Sequence, residues 1–305
     1  MKVYIRNVVV VAIMFVCGCV SNAQRAVSTE NVNSEELPLP NVPDVLREPS
    51  ARAAYITEHF WDAMEFSDTL KSHNNGFMEQ NFSNFINILP YADKQAQEIA
   101  VEKLMRKAEA DSAAYIIMTE IAEKYLYEPE SPMYSEELYV LFLEQFIKSP
   151  MLGSYGTLRY RWQYDETQKN RRGTIAANFS YITRDGKRTS LHETPTADFL
   201  LLIFYDPDCE HCSEIIDSLK QNEVLNQLLT NGKLTILAIN SGYNKNLWEQ
   251  TAALLPTEWI VGYENGAMQN NGSYVLRAMP TLYLLDFNKE VILKDATPDR
   301  IIAWF

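Results

Sequence analysis

Hydrophobic positions change their spacing once along this chain, and the change falls near Gly173. From Ser50 to about Arg171 they recur three and four residues apart. Ile56, Phe60, Trp61 and Met64 open the pattern, Phe82, Phe85, Ile86 and Leu89 continue it, and Ile99, Leu104, Met105 and Ala108 follow. Tyr115, Met118, Ile121, Ala122 and Tyr125, then Leu138, Leu141, Phe142 and Phe146, extend it. Such spacing lines one face of an α-helix. Breaks at Asn74-Asn75-Gly76, Pro90, Pro129 to Pro132 and Pro150 divide the region into five or six predicted helices. Residues 50–171 are therefore expected to form an all-α domain.

Beyond Gly173 the pattern becomes that of strands. Phe179 to Thr183, the turn Arg184-Asp185-Gly186-Lys187 and Thr189 to Leu191 predict a hairpin. Phe199 to Tyr205 is apolar throughout, as expected for a central strand covered on both faces. A helix carrying Cys212, its apolar pattern beginning at Ser213, follows, then a helix near Val224 to Leu229, a strand Leu234 to Asn240, a helix around Leu247 to Leu255 and a strand Trp259 to Tyr263. Met279-Pro280 introduces a strand Thr281 to Asp286, which turns at Asn288-Lys289 and returns as Val291 to Lys294. Thr297, Pro298 and Asp299 read as N-cap, N1 and N2 of a terminal helix. Residues 173–305 thus predict an α/β domain with a mixed sheet flanked by helices.

The first two dozen residues fit neither domain. Lys2 and Arg6 precede the apolar run Val8 to Val16, far short of the ~20 residues a spanning helix needs. This reads as an export signal. Val16-Cys17-Gly18-Cys19 resembles a lipoprotein processing box, which makes 1–18 the signal and Cys19 the lipidated first residue. Ser21-Asn22-Ala23 offers a rival cleavage site, with 1–23 as the signal. Residues 19–49, punctuated by Pro38, Pro40, Pro43 and Pro49, read as a tether. The expected location is the cell envelope on the periplasmic side, with lipoprotein preferred to soluble export.

Charge narrows the partners. With 27 Lys and Arg against 40 Asp and Glu the formal net charge is −13, and the acids are scattered along the chain, so nucleic acid is excluded as a partner. Membrane attachment is left to a lipidated Cys19.

Cysteine usage narrows the chemistry. Of four cysteines, Cys17 lies in the signal and Cys19 is lipidated or removed, leaving Cys209 and Cys212 as one close pair. A thiolate at a helix start is favoured by unpaired N–H groups and the helix dipole, and a second thiol one turn later can capture a mixed disulfide. Zinc normally takes four ligands, and His59, His73, His192 and His211 show no ligand spacing. Ser213, directly after the second cysteine, excludes haem attachment. The pair reads as a dithiol/disulfide centre that uses no metal and no cofactor. His211 as imidazolium favours a Cys209 thiolate, whereas Asp206, Asp208 and Glu210 oppose it, so only a modestly lowered thiol pKa is expected.

The strand Phe199 to Tyr205, the segment Asp206-Pro207-Asp208-Cys209-Glu210-His211-Cys212 and Met279-Pro280-Thr281 together resemble the thioredoxin fold, closest to exported disulfide reductases of cytochrome maturation. Leu37-Pro38-Leu39-Pro40 and Phe60-Trp61-Asp62 extend the resemblance to an envelope family that joins a helical domain of unknown function to a thioredoxin-like domain. The resemblance implies that Cys209 attacks and Cys212 resolves, and that Pro280 is a cis-proline. It also implies that Met279 offers its backbone to a bound peptide, with Tyr205 beside it at the substrate. The buried acid that thioredoxin carries six residues before its first cysteine is replaced by Ile203. Asp206 stands where peroxiredoxins carry a hydroxyl, which argues against a peroxidase.

The expected function is an envelope thiol–disulfide oxidoreductase. It would exchange protein or peptide disulfides and be served by an upstream redox partner. The alternative is an interaction protein whose helical domain binds a partner, with the thioredoxin-like domain mainly a scaffold.

Overall fold

The computed structural model describes residues 36–305. The export signal, Cys17, Cys19 and most of the tether lie outside the described residues. Within the described part of the tether, Leu37 packs against the first domain: it is buried and its N–H donates to Asn81 Oδ1 at 2.7 Å.

Seven α-helices form the first domain: α1 (Pro49–His59), α2 (Thr69–Ser72), α3 (Asn75–Ile88), α4 (Lys94–Ala108), α5 (Ser112–Leu126), α6 (Glu136–Lys148) and α7 (Gly153–Thr167). Five or six were expected. The helix after the Pro150 break is α7, which buries only Tyr160, Gln163 and Thr167; the addition is α2, a single turn. Short polar side chains start α3 to α6: Asp93 accepts the Ala96 N–H at 2.9 Å and Asp111 the Ala114 N–H at 2.8 Å. Helix α6 is the hub, burying Leu138 to Leu143 and Phe146. Phe82, Phe142, Phe146, Tyr115 and Tyr160 close the core around it.

The second domain runs β1 (Ser180–Thr183), β2 (Arg188–Ser190), β3 (Phe199–Tyr205), α8 (Glu210–Gln221), α9 (Glu223–Thr230), β4 (Leu234–Asn240), α10 (Lys245–Thr251), β5 (Ile260–Tyr263), α11 (Ala267–Asn270), β6 (Thr281–Asp286), β7 (Val291–Leu293) and α12 (Pro298–Trp304). Its sheet has the order β2-β1-β5-β4-β3-β6-β7. Strand β3 lies near the centre, parallel to β4 from Phe199↔Leu234 to Tyr205↔Asn240 and antiparallel to β6. Alternation along β3 explains its uninterrupted apolar run. Leu201, Ile203 and Tyr205 meet Cys212, Ile216 and Leu219 of α8 and Ile301 of α12. Leu200, Leu202 and Phe204 point the other way, into Phe179, Tyr274 and Tyr283.

The two domains are joined through partly buried polar contacts. Arg277 donates to the Tyr127 carbonyl at 2.7 Å, to Tyr134 Oη at 2.6 Å and to Glu136 Oε1 at 2.8 Å, and its guanidinium lies 3.9 Å from the Tyr127 ring centroid. Lys294 completes the cluster at 2.6 Å from Glu136 Oε2, with Asp295 3.5 Å from Arg277. Two carboxylates face two cations, so the group is neutral overall. Burial is the largest influence on Glu136 and pushes its carboxyl up, against the pull of Lys294 and Arg277.

Candidate active site

The chain leaves β3 at Tyr205 and turns before α8. Asp206 builds the turn: its Oδ1 accepts the Asp208 N–H at 3.0 Å and its carbonyl accepts the Cys209 N–H at 3.1 Å. The helix begins at Glu210, three residues before the apolar pattern suggested, because polar Glu210 and His211 occupy its exposed first turn. Cys209 is therefore the N-cap residue, extended at φ −95 and ψ 115, and its Sγ accepts the Cys212 N–H at 3.3 Å. A sulfur in this position meets the positive end of the helix dipole.

The two thiols differ sharply in surroundings. Cys209 is partly exposed, whereas Cys212 is 1% exposed among Ile203, Tyr205 and Ile216. Burial pushes the Cys212 thiol up to about 12, and the adjoining Cys209 sulfur and Asp206 charge add to the rise, against a hydrogen bond from the Asp206 backbone. Cys212 is thus a neutral thiol at physiological pH. Two of these influences depend on Cys209 being a free thiol or thiolate, so they weaken once Cys209 enters a mixed disulfide. A raised folded pKa gives a stability contribution that is fully present below the ordinary value of 9.0 and is lost as pH rises toward about 12. Between pH 9 and 11 the reduced protein should lose stability more steeply than its Cys212→Ala variant, and parallel pH profiles of urea unfolding would contradict this.

Across from Cys209 lies the segment before β6. The Met279–Pro280 peptide bond is cis, and the Cys209 thiol points at the Met279 carbonyl oxygen 3.9 Å away. His211 is exposed, with Nδ1 3.6 Å from Glu214 Oε2, and lines the groove beside Met279 and Pro280. Asp208 and Glu210 are exposed on the turn and first helical turn. The structure thus brings Cys209, Cys212, His211, Met279, Pro280 and Asp206 together.

Tyr205 requires a correction. It is 3% exposed and packs beneath the dithiol with Cys212 and Trp248, so it supports the site and presents almost no surface to a substrate. Its position at the end of an inward-facing register, Leu201, Ile203, Tyr205, is the reason.

Sequence reasoning missed the residues beyond Pro280. Arg277, two positions before Met279, is held by Tyr127, Tyr134 and Glu136 of the helical domain, and the connection between α5 and α6 forms the far side of the groove. Pro129 and Pro132 had read only as a helix break, and nothing local marks them as neighbours of Met279.

This fold and dithiol define a two-domain, thioredoxin-like protein. The chain belongs to the family described as "Domain of unknown function (DUF5106)", whose model matches residues 18–170. It is similar to a thioredoxin-like protein from Bacteroides caccae, at 35% identity over 88% of this chain and 96% of that one, with a TM-score of 0.81. Residues equal to 44% of the chain match 96% of the C-terminal domain of an uncharacterized protein from Bacteroides fragilis, at 38% identity and a TM-score of 0.43. The thioredoxin domain of a thiol-disulfide oxidoreductase from Bacteroides vulgatus is matched over 94% of its length and 44% of this chain, at 17% identity and a TM-score of 0.39. None of the curated proteins matches.

Proposed function

We propose that this protein is a thiol–disulfide oxidoreductase of the cell envelope, exported by its first residues, attached through a lipidated Cys19, and acting on protein or peptide disulfides. The observation that carries this reading is the unequal placement of two sulfurs in one helical turn: Cys209 partly exposed at the N-cap and facing Met279, Cys212 buried behind it. Cys209, as thiolate, attacks one sulfur of a substrate disulfide. A mixed disulfide forms and the other substrate sulfur leaves as a thiolate, which takes a proton from water. Cys212 then loses its proton and attacks Cys209 Sγ, releasing the second substrate thiol. One substrate disulfide becomes two thiols and the protein dithiol becomes a disulfide, with two electrons transferred. An upstream dithiol partner returns them, and the same steps in reverse would oxidise a substrate.

The direction is read from the reduction potential of the couple. A value near about −270 mV assigns reduction and one near about −120 mV assigns oxidation.

A Cys212→Ala variant tests the reading, because it can attack but cannot resolve. Incubated with a protein disulfide such as insulin, it should accumulate an adduct that reductant removes, mapped to Cys209. The same adduct should be recovered from the envelope fraction of cells. No adduct, under conditions where iodoacetamide still labels Cys209, would sink the proposal.

A further inference from the structure

A groove of about 330 Å³ runs beside the dithiol, and its two walls come from different domains. His211, Ile215, Met279 and Pro280 line one side, and the α5–α6 connection, with Pro129, Glu130 and Pro132 exposed, lines the other. That volume lies at the lower end of the ~300–1,000 Å³ range of ligand clefts, room for a few side chains of an extended segment.

The second wall is built rather than draped. Ser131 donates from Oγ to the Tyr125 carbonyl at 2.6 Å, and the Tyr134 N–H donates to the Ser131 carbonyl at 3.0 Å. The Ser135 N–H reaches back to the Leu126 carbonyl at 3.0 Å, closing the connection onto the end of α5. Arg277 then ties both ends of the connection, Tyr127 and Tyr134, to the backbone that carries Met279. The spacing between Glu130 and the Met279 carbonyl is therefore set by a partly buried, hydrogen-bonded cluster, as a specificity wall requires.

Charge identifies the occupant. Glu130 lines the groove on the α5–α6 wall, and Asp206, Asp208, Glu210 and Glu214 lie in the turn and the first turns of α8 that carry the dithiol. Arg277 offers no counter-charge to a ligand, because Glu136 and Asp295 already take it. His211 is the remaining basic side chain along the groove and it sits against Glu214. The apolar floor of Met279, Ile215 and the prolines accepts an aliphatic residue, and the acidic rim favours a cation beside it.

We propose that the α5–α6 connection is the substrate-selecting wall of the dithiol groove, and that it takes an extended, cysteine-bearing peptide segment with a basic residue next to an apolar one. This rests on the exchange reading above. The helical domain thereby has a role in choosing the disulfide that Cys209 attacks.

The test uses the full chain and three probes: two peptide disulfides identical except for Lys or Glu beside an Ile–Cys pair, and bis(2-hydroxyethyl) disulfide. The wild-type protein should attack the Lys peptide faster than the Glu peptide. Glu130→Lys should lower that ratio about threefold to tenfold, as expected for reversing one surface charge near a bound one, with Glu130→Gln between. An unchanged ratio in both variants, or no preference in the wild type, overturns the selecting wall even where Cys209 attacks every probe. Failure to attack any probe, bis(2-hydroxyethyl) disulfide included, instead removes the exchange reading beneath it.

Discussion

Replacing Cys209 with serine is expected to lower the rate of disulfide exchange on the order of a thousandfold or more, the scale of losing a covalent nucleophile. The argument is geometric. Cys209 is the thiol of the pair that is partly exposed, it caps α8, and it faces the Met279 carbonyl. Cys212, 1% exposed and pushed up to about 12, can neither reach a bulky disulfide nor supply thiolate at neutral pH, so it does not substitute for Cys209. The two single variants should therefore differ in kind. Cys212→Ala retains the first attack and stalls as a mixed disulfide, whereas Cys209→Ser should form no adduct at all. Stopped-flow exchange with a chromogenic disulfide separates them, and comparable first-attack rates in the two variants would refute the assignment of roles.

The second large effect falls far from the sulfurs. Arg277→Ala should lower stability by about 3–5 kcal/mol, because breaking a buried pair leaves charge without a partner. The Arg277 side chain is 17% exposed and that of Glu136 14%, so water screens little of the loss. The variant loses three hydrogen bonds to the helical domain and the stacking on Tyr127, and Asp295 keeps only the Tyr134 hydroxyl at 3.2 Å. A fall in Tm on the order of 10 °C is the expected reading. Arg277→Lys should fall between, since it keeps the charge but not the fork that reaches three acceptors. The defect should shrink as pH falls. Burial already raises the Glu136 carboxyl, removing Arg277 raises it further, and protonation then discharges it. A loss under about 1 kcal/mol, or a defect that grows in acid, would show that the cluster does not hold the domains together.

Much of the fold is legible in the chain because its causes are local. Helical spacing in residues 50–171 and the apolar run Phe199 to Tyr205 each follow from which faces are buried, and a period of 3.6 or a strand covered twice is written over a few residues. Helix α7 is marked only by the Pro150 break before it, because it buries only Tyr160, Gln163 and Thr167, while Tyr155, Leu158 and Trp162 stay exposed. The apolar pattern of α8 begins only at Ser213, three residues after the helix itself, for a related reason. Its first turn is polar, and the capping sulfur of Cys209, unlike a serine or aspartate, is not a signal that N-cap preferences recognise.

The dithiol itself and its place after a buried strand and at the start of a helix were determined by the sequence alone, since each depends on neighbours within a turn or two. Tertiary structure decided the rest: that Tyr205 supports the site from below, that Met279 faces Cys209 across 70 positions of chain, and that Arg277 meets Glu136 across 141. Contacts at such separations arise from how finished elements pack, and a linear pattern of polar and apolar residues carries no record of which surfaces will meet.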